Sequence, residues 1–188
     1  MARWTLALAV AIAPGALLLG ACNKGDEATP APSGASSDAA ADGPLAQALD
    51  NTADLSETAK LVKAAGLDKT FGGVGSYTMF APTNAAIAAV PEAERTALAS
   101  EGGRAQLIAL LGSHVSPGYM SRADLDAALE RSGGTIEVAS VGAAPIRVHK
   151  QGSEIRLGDG EDAPKVVGNP IVATNGVIFP IDRVLATP

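Results

Sequence analysis

The sequence predicts an α+β domain, with helical patterns gathered early in the domain and strand patterns gathered late. Two observations carry that reading. Between Leu45 and Gly134, apolar residues recur at helical spacing behind residues suited to start a helix. From Thr135 onward the pattern changes to short β-branched runs separated by Gly, Pro, Asn and Asp. Size agrees, because 188 residues that are 47% hydrophobic suit one domain, or one domain plus a tail, with a sizeable core.

Ahead of the domain, residues 1–21 have the layout of a secretory signal peptide: one early cation, Arg3, then an apolar run ending in small residues. Thr5 to Leu19 falls short of the roughly 20 apolar residues a membrane span needs, and Pro14-Gly15 interrupts it. Leu19-Gly20-Ala21-Cys22 resembles the bacterial lipobox, which implies cleavage before Cys22 and acylation of its thiol. Cys22 is the one cysteine in the chain, so no intramolecular disulfide can form, and lipidation gives an exported thiol a purpose. Two or more acyl chains turn marginal adsorption into stable anchoring. Asn23 follows the cysteine, where an Asp in enterobacteria signals inner-membrane retention; the expected place is therefore the outer membrane. Residues 22–44 supply the lipidated cysteine and a tether with no Val, Ile, Leu or aromatic residue after Cys22. Coil statistics give about 22 such residues a mean reach of roughly 25 Å.

The domain is read over 45–188. Asp54-Leu55-Ser56-Glu57 has capping-box spacing with Asp54 as the cap, and Leu55, Ala59, Leu61, Val62 and Ala65 form a stripe that stops at Gly66. Gly72-Gly73-Val74-Gly75 precedes a strand, Tyr77 to Phe80, and so does not have the strand-to-helix order of a phosphate loop. Pro82 ends strand pairing, and the Thr83 hydroxyl is placed to accept an amide near Ala85 or Ala86 and start the next helix. Arg104 to Val115 puts Leu107, Leu110, Leu111 and His114 on one helical face, so His114 points toward the core. Ser121 and Asp124 make a second capping box, for a helix running to Gly133-Gly134. Strands are expected in TIEVASV, PIRVHK, SEIRL, KVVG, PIVA and GVIFPI, arranged as hairpins. Asn175-Gly176 reads as a turn between two of them, with Gly176 supplying positive φ.

Three segments together resemble the fasciclin-like domain family. Tyr77-Thr78-Met79-Phe80-Ala81-Pro82-Thr83-Asn84 is similar to its first signature, Leu110-Leu111-Gly112-Ser113-His114-Val115 to its central segment, and Asn175 to Leu185 to its closing one. The order is the expected one, and the match covers the chain from about Leu45. The resemblance implies a β-sandwich-like core wedged by several α-helices, used for adhesion or extracellular binding rather than catalysis. Phe80, Pro82, Thr83, Asn84, His114, Asn175, Gly176 and Asp182 are the motif residues, and their roles are expected to be mostly structural. Ile87 stands where the family usually has Phe, Ser113 where many members have Tyr, and Phe179 in place of a common His. The Tyr-His pair associated with integrin contact in some animal members is thus incomplete.

Charge and composition narrow the partners. The formal charge is −6, and loss of Arg3 with residues 1–21 leaves 13 basic against 20 acidic side chains, or −7. An acidic chain without a Lys/Arg block is a poor polyanion ligand, which excludes nucleic acid. His114 and His149 lack a Ser, Cys or carboxylate framework, so no enzyme is expected. No cofactor or metal is expected either, since Asp159-Gly160-Glu161-Asp162 lacks the continuation of a calcium loop and reads as an acidic hairpin tip. What remains is a lipid-anchored envelope protein, monomeric by default, that binds a protein or polysaccharide. The alternative is a carrier or sensor of an apolar small molecule such as a pigment or lipid, which 3% aromatic content disfavours.

Overall fold

The computed structural model describes residues 39–40 and 42–185. The expected signal peptide and Cys22 lie outside them. Among the described residues no helix is long and apolar enough to cross a membrane.

The elements run in the order β1 (Ala39–Ala40), α1 (Leu45–Asn51), α2 (Ser56–Ala65), α3 (Asp68–Phe71), β2 (Tyr77–Pro82), α4 (Asn84–Ala88), α5 (Glu92–Ala99), α6 (Arg104–Ser113), β3 (Val115–Pro117), α7 (Arg122–Arg131), β4 (Thr135–Val138), β5 (Ile146–Gln151), β6 (Glu154–Leu157), β7 (Ile171–Ala173) and β8 (Gly176–Ile181). The strands form two sheets: one of five in the order β1-β7-β8-β2-β3, and an antiparallel meander β4-β5-β6. At the centre of the larger sheet β2 and β8 pair in parallel over six residues, Tyr77 with Gly176 through Pro82 with Ile181. Both strands are covered on both faces, which explains why each is apolar almost without interruption.

Alternation along those strands sorts the core into two layers. Met79, Ala81 and Ile178 face helices α1, α2 and α6 through Leu49, Val62, Leu107 and Leu111. Phe80, Val177, Phe179 and Ile181 face the meander and α7, meeting Leu125, Leu129, Val148 and Leu157. Phe80 and Phe179 are register partners and their rings stack 5.6 Å apart, a contact worth about 1 kcal/mol beyond the area it buries. The first and last motifs of the sequence are therefore neighbours in space.

Several expectations need correction. Asp54 does not cap α2: it lies in a 3-10 turn, Ala53–Leu55, and the cap comes from elsewhere, as described below. The strand expected at KVVG reduces to two isolated bridges, Arg156 with Lys165 and Val166 with Ile181, because Pro164 and Pro170 remove donors on either side. The hairpin reading holds for β4-β5-β6 and for β7-β8, but the parallel β2-β8 pairing is a long-range contact it did not include. Val115 starts β3 rather than ending α6. Within the segment read as a tether, Ala39–Ala40 pairs in parallel with Ile171 and Val172, and Gly43 O accepts from Thr174 N–H, so its last residues are joined to the sheet.

Candidate functional site: the groove and its two asparagine junctions

The corner Ala81-Pro82-Thr83-Asn84 ends β2 and begins α4. Thr83, with φ −66° and ψ 164°, is the N-cap, and its hydroxyl accepts from Ala86 N–H at 3.2 Å. Asn84 faces the other way, to α2. Its Oδ1 accepts from Glu57 N–H at 2.9 Å, and its Nδ2 donates to Ala53 O at 2.9 Å and Ser56 Oγ at 3.1 Å. An orphan amide in the first turn of α2 is thus satisfied by a residue 27 positions later. The Thr58 hydroxyl completes the junction by donating to Pro82 O at 2.6 Å.

Asn175 does the same for α1, at the opposite end of β8. Its Oδ1 accepts from Leu45 N–H at 2.7 Å, while Nδ2 donates to Phe71 O at 2.9 Å and Gly73 O at 2.7 Å. All three partners are backbone groups, and the Asn175 carbonyl accepts from Tyr77 N–H at 3.1 Å. Gly176 is not a positive-φ residue, contrary to expectation. It is needed because a Cβ there would collide with the Tyr77 carbonyl oxygen and lie 2.9 Å from Leu45 Cδ1. Close approach of β2, not turn geometry, selects glycine.

His114 is the C-cap of α6 and is 1% exposed. Its Nε2 accepts from Leu185 N–H at 2.9 Å, which leaves Nδ1 as the protonated nitrogen donating to Leu110 O at 2.7 Å. The Ser113 hydroxyl lies 3.3 Å from Nδ1 and itself bonds to Leu110 O. Burial lowers the imidazole from its usual 6.5 to about 4, against a smaller opposing effect of the Leu110 bond. The ring is therefore neutral near pH 7 and clamps the segment after β8 onto α6. Asp182 fixes that segment from the other side: its Oδ1 accepts from Lys165 N–H at 2.8 Å. His149 sits on β5 opposite Thr135 and Arg156, away from His114.

Around this scaffold lies an open groove of about 820 Å³, walled by α2, α4, α5, α6 and residues 183–185. Leu61, Ile87, Val90, Leu98 and Leu110 make an aliphatic floor, and no aromatic side chain among the described residues lines it. Glu57, Glu94, Arg95 and Arg183 ring it with both signs of charge. Thr83 and Asn84 set α4 and α2 as two of its walls, and Leu110 and Leu185, whose backbone groups bond the His114 ring nitrogens, belong to its lining. Asn175 and Gly176 lie about 17 Å of strand from it, at the far end of β8. Phe80 and Pro82 are buried in or beside the core. Asp159 and Asp162 of the acidic tip pair with Arg147 and Arg183 at 3.0 and 2.6 Å.

The fasciclin domain family model matches residues 53–188. The chain belongs to the fasciclin-domain family. Among relatives, it is 32% identical to protein sll1483 of Synechocystis over 127 residues, which is 68% of this chain and 64% of that protein. Over 127 residues it is 30% identical to transforming growth factor-beta-induced protein ig-h3 of Sus scrofa, 68% of this chain but 17% of that one. It thus spans less than two thirds of either relative. A domain pair from the insect cell adhesion molecule fasciclin I matches with a TM-score of 0.57 at 18% identity, over 77% of this chain and 51% of that one. That likeness establishes the fold: this fasciclin domain has the α+β architecture of the adhesion molecule's domains.

Proposed function

We propose that this fasciclin-domain protein is anchored in the bacterial cell envelope through acylated Cys22, with the outer membrane as its place, and that its domain binds a protein or polysaccharide at the surface or in the periplasm. The groove carries this reading. Its floor is apolar, its rim bears charges of both signs, and it is an open trough rather than a closed cavity, which suits a segment of a larger partner. Likeness to a cell adhesion molecule supports the same class of function. Catalysis forms no part of the proposal, because the one buried histidine spends both ring nitrogens on backbone partners.

A second reading has one observation in its favour: about 820 Å³ lies within the range of small-molecule sites, and an aliphatic lining fits an apolar chain. Val90→Asp and Val184→Asp decide whether the groove binds at all. Both side chains line it and are only half-buried, so each variant should keep its denaturation midpoint and lose retention on isolated envelope material. Unchanged retention would reject the groove. A pigment spectrum or a lipid mass found in protein purified from native membranes would favour the second reading. Cys22→Ser should shift the protein from the membrane to the soluble fraction or stall its precursor; persistence in membranes after a high-salt wash would reject the anchor.

A further inference from the structure

Asn175-Gly176 is the only Asn-Gly step in the sequence. In an unfolded chain such a step loses its amide spontaneously. The Gly176 nitrogen attacks Asn175 Cγ as its own proton departs, the Cγ–Nδ2 bond breaks, and ammonia leaves. The succinimide ring that remains takes up one water, opening to aspartate or isoaspartate. Glycine favours the attack because no Cβ shields its nitrogen or restricts the backbone. No oxidant, metal or cofactor is involved.

The fold holds this same side chain at three points. Asn175 is 9% exposed, and Leu45 N–H, Phe71 O and Gly73 O, from two other stretches of chain, fix both ends of its amide. Cγ cannot swing toward Gly176 unless all three bonds break together, and Gly176 is itself wedged against Tyr77 and Leu45. The product, moreover, cannot replace the reactant. A carboxylate accepts only, whereas Phe71 O and Gly73 O both require a donor. Aspartate at 175 would bring a buried negative charge against two carbonyl oxygens, and isoaspartate would also lengthen the backbone where β8 begins.

We propose that Asn175 is an unfolding-gated deamidation site: protected in the native domain, reactive in the unfolded chain, and unable to rebuild its junction once converted. Unfolding is thereby recorded covalently, and a chain that stays unfolded too long loses its way back. Asn84, followed by Ala85, and Asn51, followed by Thr52, are internal references that lack the glycine.

The test uses the full chain at mildly alkaline pH, incubated in buffer and in concentrated guanidinium chloride, then digested and weighed by mass spectrometry. The expected result is amide-to-acid conversion at Asn175 faster in denaturant by about tenfold or more, as protection by the fold requires, with Asn84 and Asn51 unchanged in both. On dilution from denaturant, the converted chains should be missing from the refolded fraction. Equal conversion of Asn175 in buffer and denaturant would overturn the gating. Converted chains that refold with the wild-type midpoint, or an N175D variant with that midpoint, would overturn the claim that the junction cannot be rebuilt.

Discussion

Asn84 and Asn175 perform the same task in unlike surroundings. Each uses Oδ1 to cap the first turn of a helix far away in sequence, while Nδ2 holds backbone carbonyls: Ala53 O at the entry to α2 for Asn84, and Phe71 O and Gly73 O at the end of α3 for Asn175. At Asn175 every partner is a backbone group, and the capped residue, Leu45, is fully buried. At Asn84 the site is half-buried, one partner is the Ser56 hydroxyl, and the capped residue, Glu57, borders the groove. The difference teaches that a motif residue can be indispensable to the core at one end of a strand pair and serve a more forgiving, solvent-facing wall at the other.

The comparison can be broken in several places. Asn175→Ala should have the largest effect, because three backbone groups lose their partner and two of those bonds are buried; the cost is about 3–5 kcal/mol, read as a lowered denaturant midpoint. A loss below about 1 kcal/mol would mean that water or relaxation replaces the amide.

His114→Ala comes next, at about 2–4 kcal/mol from the cavity and the unpaired Leu185 N–H. It also carries a pH signature. The folded-state value of about 4 lies below the usual 6.5, so between them the unfolded chain binds more protons. The stabilisation is complete above pH 6.5 and is lost as pH falls toward 4, by roughly 3 kcal/mol in all. Wild-type stability should therefore slope in this window, and His114→Ala should flatten the slope. Equal slopes would remove His114 as its source. Binding by the variant should fall only with its folded fraction; a stable variant that no longer binds would make His114 a contact residue instead.

Asn84→Ala should cost least, about 1–2 kcal/mol, as for a lost helix cap whose partners can reach water. Because Glu57 and α4 are groove walls, this variant should also weaken partner binding at temperatures where it is fully folded. Asn175→Ala, held folded by cold or osmolyte, should not. A binding defect shared equally by the two would erase the distinction.

Local chemistry was legible in the sequence, and long-range chemistry was not. Ser121 and Asp124 form their expected capping box because both partners lie within one turn, with Asp124 N–H on Ser121 Oγ at 3.1 Å and Ser121 N–H on Asp124 Oδ2 at 3.0 Å. The Ser121 hydroxyl, donating to Asp124 Oδ2 at 2.6 Å, and then the Ser121 N–H lower the Asp124 carboxyl from its usual value. Thr83 capped as its spacing indicated, and Gly66 closes α2 with φ 76°. Asp54 had the same local credentials and lost to Asn84, which no window of a few residues contains. Gly176 was recognised as a glycine with a purpose, but the steric reason lies in Tyr77, about a hundred residues away. The groove escaped entirely, because four helices and the segment after β8 must converge before it exists. Helix α5, one of its walls, did leave a signal in Pro91 and the acidic residues Glu92 and Glu94 of its first turn.

Native-state hydrogen exchange at two amides tests the contrast most directly. The account predicts that Leu45 N–H, capped by Asn175, exchanges only through global unfolding, so its protection equals the stability measured by denaturant. Glu57 N–H, capped by Asn84, should exchange through local opening at a lower free energy. Equal protection at the two sites, or faster exchange at Leu45, would contradict it.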